Sequence, residues 1–121
     1  MADTLKVEPS SRFKLTRNGV QLHSQHYAPA AAAFTEYTSD RVVLATNMTV
    51  MQEIDLGGVA TGEYLLLETS QTIKVALNST NVNAKVPVGK SFMVSGGSFT
   101  HLYVQNENTT YTAIVQHVTT D

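Results

Sequence analysis

From Arg41 to Val118, apolar and polar residues alternate in short runs of period two, the spacing that puts every second side chain on one face of a β-strand. Val42, Leu44, Met48, Val50, Ile54 and Leu56 all fall on even positions. Fifteen residues exceed an ordinary strand, so a break is expected near Asn47. The stretch GEYLLLETSQTIKVAL, Gly62–Leu77, predicts a β-hairpin folded about a polar ETSQT turn. With Leu67 opposite Ile73 and Leu65 opposite Val75, one face carries Leu65, Leu67, Ile73, Val75 and Leu77. The reverse carries Tyr64, Leu66, Lys74 and Ala76. Pro87 confines Val86–Val88 to a sheet edge or a strand start. Phe92–Val94 reads as a strand that stops at Ser95-Gly96-Gly97-Ser98.

A last hairpin is expected between Phe99–Gln105 and Tyr111–Val118, joined through Asn106 to Thr110. If Gln105 lies opposite Tyr111, one face collects Leu102, Val104, Ile114 and Val118 and meets the first hairpin across a core. The other face then collects Phe99, His101, Tyr103, Tyr111, Val115 and His117. A strand pair that is apolar on one face and aromatic on the other must be covered on both, by an oligomer or by its own chain. Seven or eight short strands with regular turns predict an all-β fold, an antiparallel β-sandwich of jelly-roll-like type.

The first part of the chain reads differently. Residues 1–19 lack sustained periodicity and end on Asn18-Gly19, a turn signal, so an extended N-terminal arm is expected, followed by one sandwich domain over 20–121. Val20 and Leu22 start a short first strand reaching toward Tyr27. Pro29, the alanines 30–33, Phe34 and Tyr37 make a single helix-like piece.

Composition narrows the class. A chain of 121 residues is one domain's worth of sequence, rich in Thr, Val, Ser and Asn, which suit pleated strands and turns. No cysteine is present, which excludes a disulfide framework and thiolate metal sites. The net charge of -2 argues against a nucleic-acid module. Half of the basic residues, Lys6, Arg12, Lys14 and Arg17, nevertheless lie in the first seventeen positions, as a solvated tail or an electrostatic docking arm. No apolar run has the length of a signal peptide or membrane span, so neither secretion by that route nor a membrane partner is expected.

Candidate chemistry is sparse. His23 and His26 are three apart and fall on opposite strand faces, while His101 and His117 share a face only in the register above. No metal or other cofactor is expected. The serines occupy turn-like settings without Gly-x-Ser-x-Gly spacing, and Glu53, Asp55, Glu63 and Glu68 are not paired, so no catalytic residue is assigned. Gly57-Gly58 and Gly96-Gly97 lack the Lys-Ser/Thr of a phosphate loop. The sequons at Asn47, Asn78 and Asn108 reflect an Asn- and Thr-rich chain.

In order, YLLLETSQTIKVAL, VPVGKSFMVSGG and FTHLYVQNENTTYTAIVQHV resemble small virion structural proteins of tailed bacteriophages, including capsid cement or decoration proteins. The resemblance covers Glu63–Val118. It implies a β-sandwich that assembles as a homo-oligomer, with a trimer favoured, on the capsid surface of a virion. There it would bind the phage major capsid protein and stabilise the shell, after synthesis in the host cytoplasm. Multivalency is the physical account, since several weak copies of one surface engage repeated shell sites together. Tyr64, Leu66, Phe99, Tyr103 and Tyr111 are the expected oligomer or partner surface, and Leu5, Val7, Phe13 and Leu15 the docking residues of the arm. Leu66→Asp is expected to dissociate the oligomer and leave the monomer folded. Two other classes stay open: a carbohydrate- or receptor-binding module of a phage fibre or tail, and a cupin-like metalloenzyme using His101 or His117.

Overall fold

The computed structural model describes residues 5–121, so the first four positions of the expected arm lie outside it. The chain divides into two compact units between Phe34 and Thr35.

In the N-terminal unit, β1 (Lys6–Val7) pairs antiparallel with β4 (Ala32–Ala33), and β2 (Ser11–Arg17) pairs with β3 (Val20–Tyr27). Asn18 and Gly19, at φ 51° and 79°, form the two-residue hairpin turn in which both central residues are left-handed. That turn folds Val20–Tyr27 back on Ser11–Arg17. The segment expected to open the sandwich is therefore half of a separate ribbon, and the boundary expected after residue 19 lies after Phe34. The expected helix is absent: Phe34 N–H donates to the Leu5 carbonyl at 3.1 Å, and Ala32–Ala33 are strand. So short an alanine run is well under the roughly 12 residues that an isolated helix needs.

The second unit, Thr35–Asp121, is a sandwich of eight strands. They are β5 (Tyr37–Leu44), β6 (Gln52–Ile54), β7 (Gly62–Thr69), β8 (Ile73–Leu77), β9 (Val86–Val88), β10 (Ser91–Phe99), β11 (Leu102–Gln105) and β12 (Ala113–Thr120). One sheet runs β10-β7-β12-β5 and the other β6-β11-β8-β9, all antiparallel. Every connection crosses from one sheet to the other except β8 to β9, which passes through a 3-10 turn at Val82–Ala84. This is the jelly-roll order.

The two expected hairpins are arches. β7 and β8 lie in opposite sheets, and so do β11 and β12. The ETSQT turn carries the chain across the core, held by Thr69 Oγ1 donating to the Gln71 carbonyl at 2.6 Å. Ser70 stays on β12, its Oγ accepting from Ile114 N–H and its N–H donating to the Ile114 carbonyl. Leu65 and Leu67 thus meet Ile73 and Val75 across the sandwich instead of beside them, in one core cluster with Leu44, Leu102 and Val104.

The face assignment of the last strand is also corrected. On β12 the inward side chains are Ala113, Val115, His117 and Thr119, while Ile114 and Val118 point outward. β12 sits between β5 and β7, and its register against both, Val115↔Val42 and Val115↔Thr69, decides the parity. The break expected near Asn47 is present: β5 ends at Leu44, and Asn47 takes a left-handed φ of 54°. Val50, expected on the buried face of that run, lies in the break and is exposed.

Candidate functional site

The outward face of the β10-β7-β12-β5 sheet is built in rows across four strands. Met93, Leu66, Val118 and Ser39 form one row, Ser95, Tyr64, Thr120 and Tyr37 the next, and Ser91, Glu68, Gln116 and Arg41 a third. Leu66 is 41% exposed and Val118 39%, so the middle of the sheet presents an apolar strip to solvent, and Tyr37, 60% exposed, stands beside it on the edge strand β5. A shallow depression over this strip is lined by Leu66, Glu68, Val118, Ser39 and Arg41. Tyr64 and Leu66, expected together on an interaction surface, do share this face. Met93, Val118 and Tyr37 belong to it as well; the run YLLL and the apolar residues on both parities of AIVQHV were its signal in the sequence.

The other three expected surface residues are dispersed. Phe99 is only 1% exposed and fills the core above Gly62, so it forms no surface. Tyr103 lies on the outward face of the opposite sheet, half-buried and stacked on His101 with ring centroids 6.0 Å apart. Tyr111 is exposed in the loop after β11, its N–H bound to Asn108 Oδ1 at 2.8 Å. The expected aromatic face required β11 and β12 to be neighbours, and they are in different sheets.

A second surface lies on the N-terminal ribbon. The pairs Ser11↔Tyr27, Phe13↔Gln25 and Leu15↔His23 share one face, and Phe13 meets His23 with ring centroids 6.4 Å apart. Between Leu15 and Thr16 the register shifts by one residue on β3, a bulge. Beyond it Arg17 pairs with Val20, so Val20 and Leu22 return to the face of Leu15. The bulge thus gathers Phe13, Leu15, Val20, Leu22 and Tyr27 on one side, each 46–63% exposed. Arg12, Lys14, Thr16, Gln21, Ser24 and His26 occupy the other. Of the arm residues expected to dock, Phe13 and Leu15 belong to this face, whereas Leu5 and Val7 lie on the small β1–β4 ladder.

His117 is buried on the inward face of β12, its Nδ1 3.2 Å from Thr119 Oγ1 and its Nε2 without a partner. Burial holds its pKa below the ordinary 6.5, with the Asp40 carboxylate acting in part the other way. The unfolded chain therefore takes this proton more readily than the folded one. Stability contributed by the neutral ring is complete above 6.5 and declines as pH falls below it. The decline is at most about 1.4 kcal/mol per pH unit, and it ends once the folded ring is itself protonated. Denaturation midpoints on either side of 6.5 should fall with acid in the wild type and less steeply in His117→Gln; equal slopes would discharge His117 from this role.

His101, exposed at the start of β11, holds Glu53 Oε1 at 2.6 Å from its Nδ1. His101 and His117 are therefore not neighbours, since one stands on the outside of one sheet and the other inside the opposite sheet. Among the described residues, no group of three or more His, Asp or Glu side chains is placed to hold a metal ion. Asn78 and Asn108 are engaged in turns, Asn78 Oδ1 accepting from Thr100 N–H at 2.8 Å and Asn108 Oδ1 from Thr110 N–H at 2.8 Å. No protein-family model matches the chain, and no curated protein is detectably similar to it.

Proposed function

We propose that this chain is a non-enzymatic virion structural protein, a capsid cement or decoration protein that binds the shell of a tailed bacteriophage as a homo-oligomer and stabilises it. The observation that carries the reading is the pair of uncovered apolar surfaces: the strip around Leu66 and Val118 on the sandwich, and the ribbon face of Phe13, Leu15, Val20 and Leu22. Neither surface is arranged to do chemistry, and each is arranged to be covered. Jelly rolls also serve in capsid and lectin domains, so the fold is compatible with this use and does not choose it.

In this reading an oligomer presents several copies of a modest surface to a repeating shell, and the affinities compound. Mass spectrometry of purified particles of the phage that encodes the chain should detect it in stoichiometric amount. Particles lacking it should release their contents at lower temperature and regain resistance when it is added back. Its absence from particles would overturn the proposal.

A carbohydrate-binding alternative rests on one observation, the exposed Glu53–His101 pair beside the Tyr103 ring, since a planar ring with a carboxylate at its edge suits a sugar face. Binding of the isolated chain to a glycan array, lost in Tyr103→Ala, would favour that use.

A further inference from the structure

We infer that the two apolar surfaces are the two halves of one interface between copies: the β2–β3 ribbon of one copy lies on the outward face of the β10-β7-β12-β5 sheet of another. Charge selects this pairing over ribbon on ribbon. Residues 1–34 carry Lys6, Arg12, Lys14 and Arg17 against Asp3 and Glu8, a formal +2. Residues 35–121 carry four basic and eight acidic residues, a formal -4. Two ribbons brought together repel, whereas a ribbon and a sandwich attract. The ribbon's faces fit this arrangement, because the exposed side of Phe13, Leu15, Val20 and Leu22 also carries Arg17 opposite Val20 and would bring it toward the Leu66–Val118 strip and its neighbour Glu68, while Arg12 and Lys14 remain on the solvent side. A two-stranded ribbon is at best marginally stable alone in water, so the cover also supports the element that supplies it.

The size of the contact says how many copies must join. Eight residues at roughly 3.3 Å each give a ribbon about 26 Å long, which covers on the order of 300 Å² per partner. A lone contact of this size is well below the roughly 1,200 Å² of total surface that stable complexes bury. Each copy, however, has one ribbon and one sheet face, so copies joined head to tail can close a ring in which every one makes two contacts. A closed ring is the expected state.

The inference rests on the assembly reading for its setting, but it is tested in solution, without particles. Because the chain has no cysteine, single cysteines report cleanly. One variant carries Leu15→Cys and a second, differently tagged, carries Leu66→Cys; Phe13→Cys and Val118→Cys serve as the alternate pair. A short bis-maleimide should yield mixed dimers from the mixture and only traces of dimer from either variant alone. Light scattering should show wild type as an oligomer that dissociates as salt rises and that is lost in Phe13→Ser/Leu15→Ser and in Leu66→Ser/Val118→Ser. Circular dichroism of these variants must match wild type. If either serine variant fails to fold, the cross-linking of the conservative cysteine pairs decides.

Like-with-like dimers from one variant, absence of mixed dimers, a monomeric wild type or an oligomer indifferent to salt would each overturn the inference. These outcomes are distinguishable from failure of the capsid reading. A ring that forms in solution but is absent from particles removes only the latter.

Discussion

Gly62→Ala will lower the stability of the sandwich by about 3 kcal/mol, the upper part of the usual range for overpacking a close-packed core. Gly62 begins β7 and is paired with Phe99 of β10. A Cβ at Gly62 would stand 2.6 Å from Phe99 Cε2 and 2.8 Å from Cε1, with Cζ nearer still. The ring cannot swing away, because Phe99 is among the largest fully buried side chains and lies within the core cluster. The cost is one of space, since Gly62 is not among the residues with positive φ.

Shrinking the ring should recover part of the loss. Gly62→Ala combined with Phe99→Leu should be more stable than the sum of the two single changes predicts, by about 1 kcal/mol or more, as expected for residues in direct contact. Guanidinium denaturation of the four proteins forms the double-mutant cycle. A Gly62→Ala protein within about 0.5 kcal/mol of wild type would refute the packing argument, because that is the range of surface substitutions.

Asn106→Asp should destabilise by a comparable amount, about 3 kcal/mol or more, although the side chain keeps its shape. Asn106 is fully buried at the β11–β12 arch. Its Nδ2 donates to the Ala45 carbonyl at 3.1 Å and to the Tyr111 carbonyl at 2.9 Å, while its Oδ1 accepts from Asn108 N–H at 3.1 Å. Its backbone carbonyl accepts from Met48 N–H at 2.8 Å. One side chain thus ties the loop after β5 to the loop before β12. A carboxylate there cannot donate, so two carbonyls face a buried negative charge, and each unmet buried group costs roughly 1–3 kcal/mol. Asn106→Ala, which leaves the same carbonyls unpaired without adding charge, should lie between wild type and Asn106→Asp. Chemical denaturation at neutral pH reads the order directly, and an Asp variant as stable as wild type would show that the amide is not the tie.

Much of the sandwich was legible because period-two alternation survives any arrangement of strands. Leu65, Leu67, Ile73, Val75, Leu102 and Val104 were all expected inside and are inside. The Asn18-Gly19 turn was legible for a local reason, since both positions need left-handed backbone that Asn and Gly tolerate. The ribbon it creates was missed because neither Ser11–Arg17 nor Val20–Tyr27 has a complete apolar face alone. The face appears only when a one-residue bulge brings Val20 and Leu22 beside Leu15 and places Tyr27 opposite Ser11. Of the expected interaction residues, Tyr64 and Leu66 share a face because they share a strand, a relation that sequence carries directly. Grouping Phe99, Tyr103 and Tyr111 depended on which strands are neighbours, and that is non-local.

By itself, then, the sequence determined the class of fold, the break near Asn47 and the Asn18-Gly19 turn, and the inward residues of β7, β8 and β11, because these follow from side-chain spacing and turn chemistry within a few residues. The stop expected at Ser95-Gly96-Gly97-Ser98 is absent, since β10 runs through it as an irregular strand to Phe99, held by pairing with β7. Only the tertiary structure decided between hairpin and arch. Two strands joined by a short polar turn show the same alternation whether they pair edge to edge in one sheet or face each other across a core. What separates the two is the competition for edges. β12 pairs with β5 and β7, and β11 pairs with β6 and β8, so neither has an edge left for the other. That competition is settled by the whole set of strands together, and with it the outward direction of Val118 and the apolar strip it forms with Leu66.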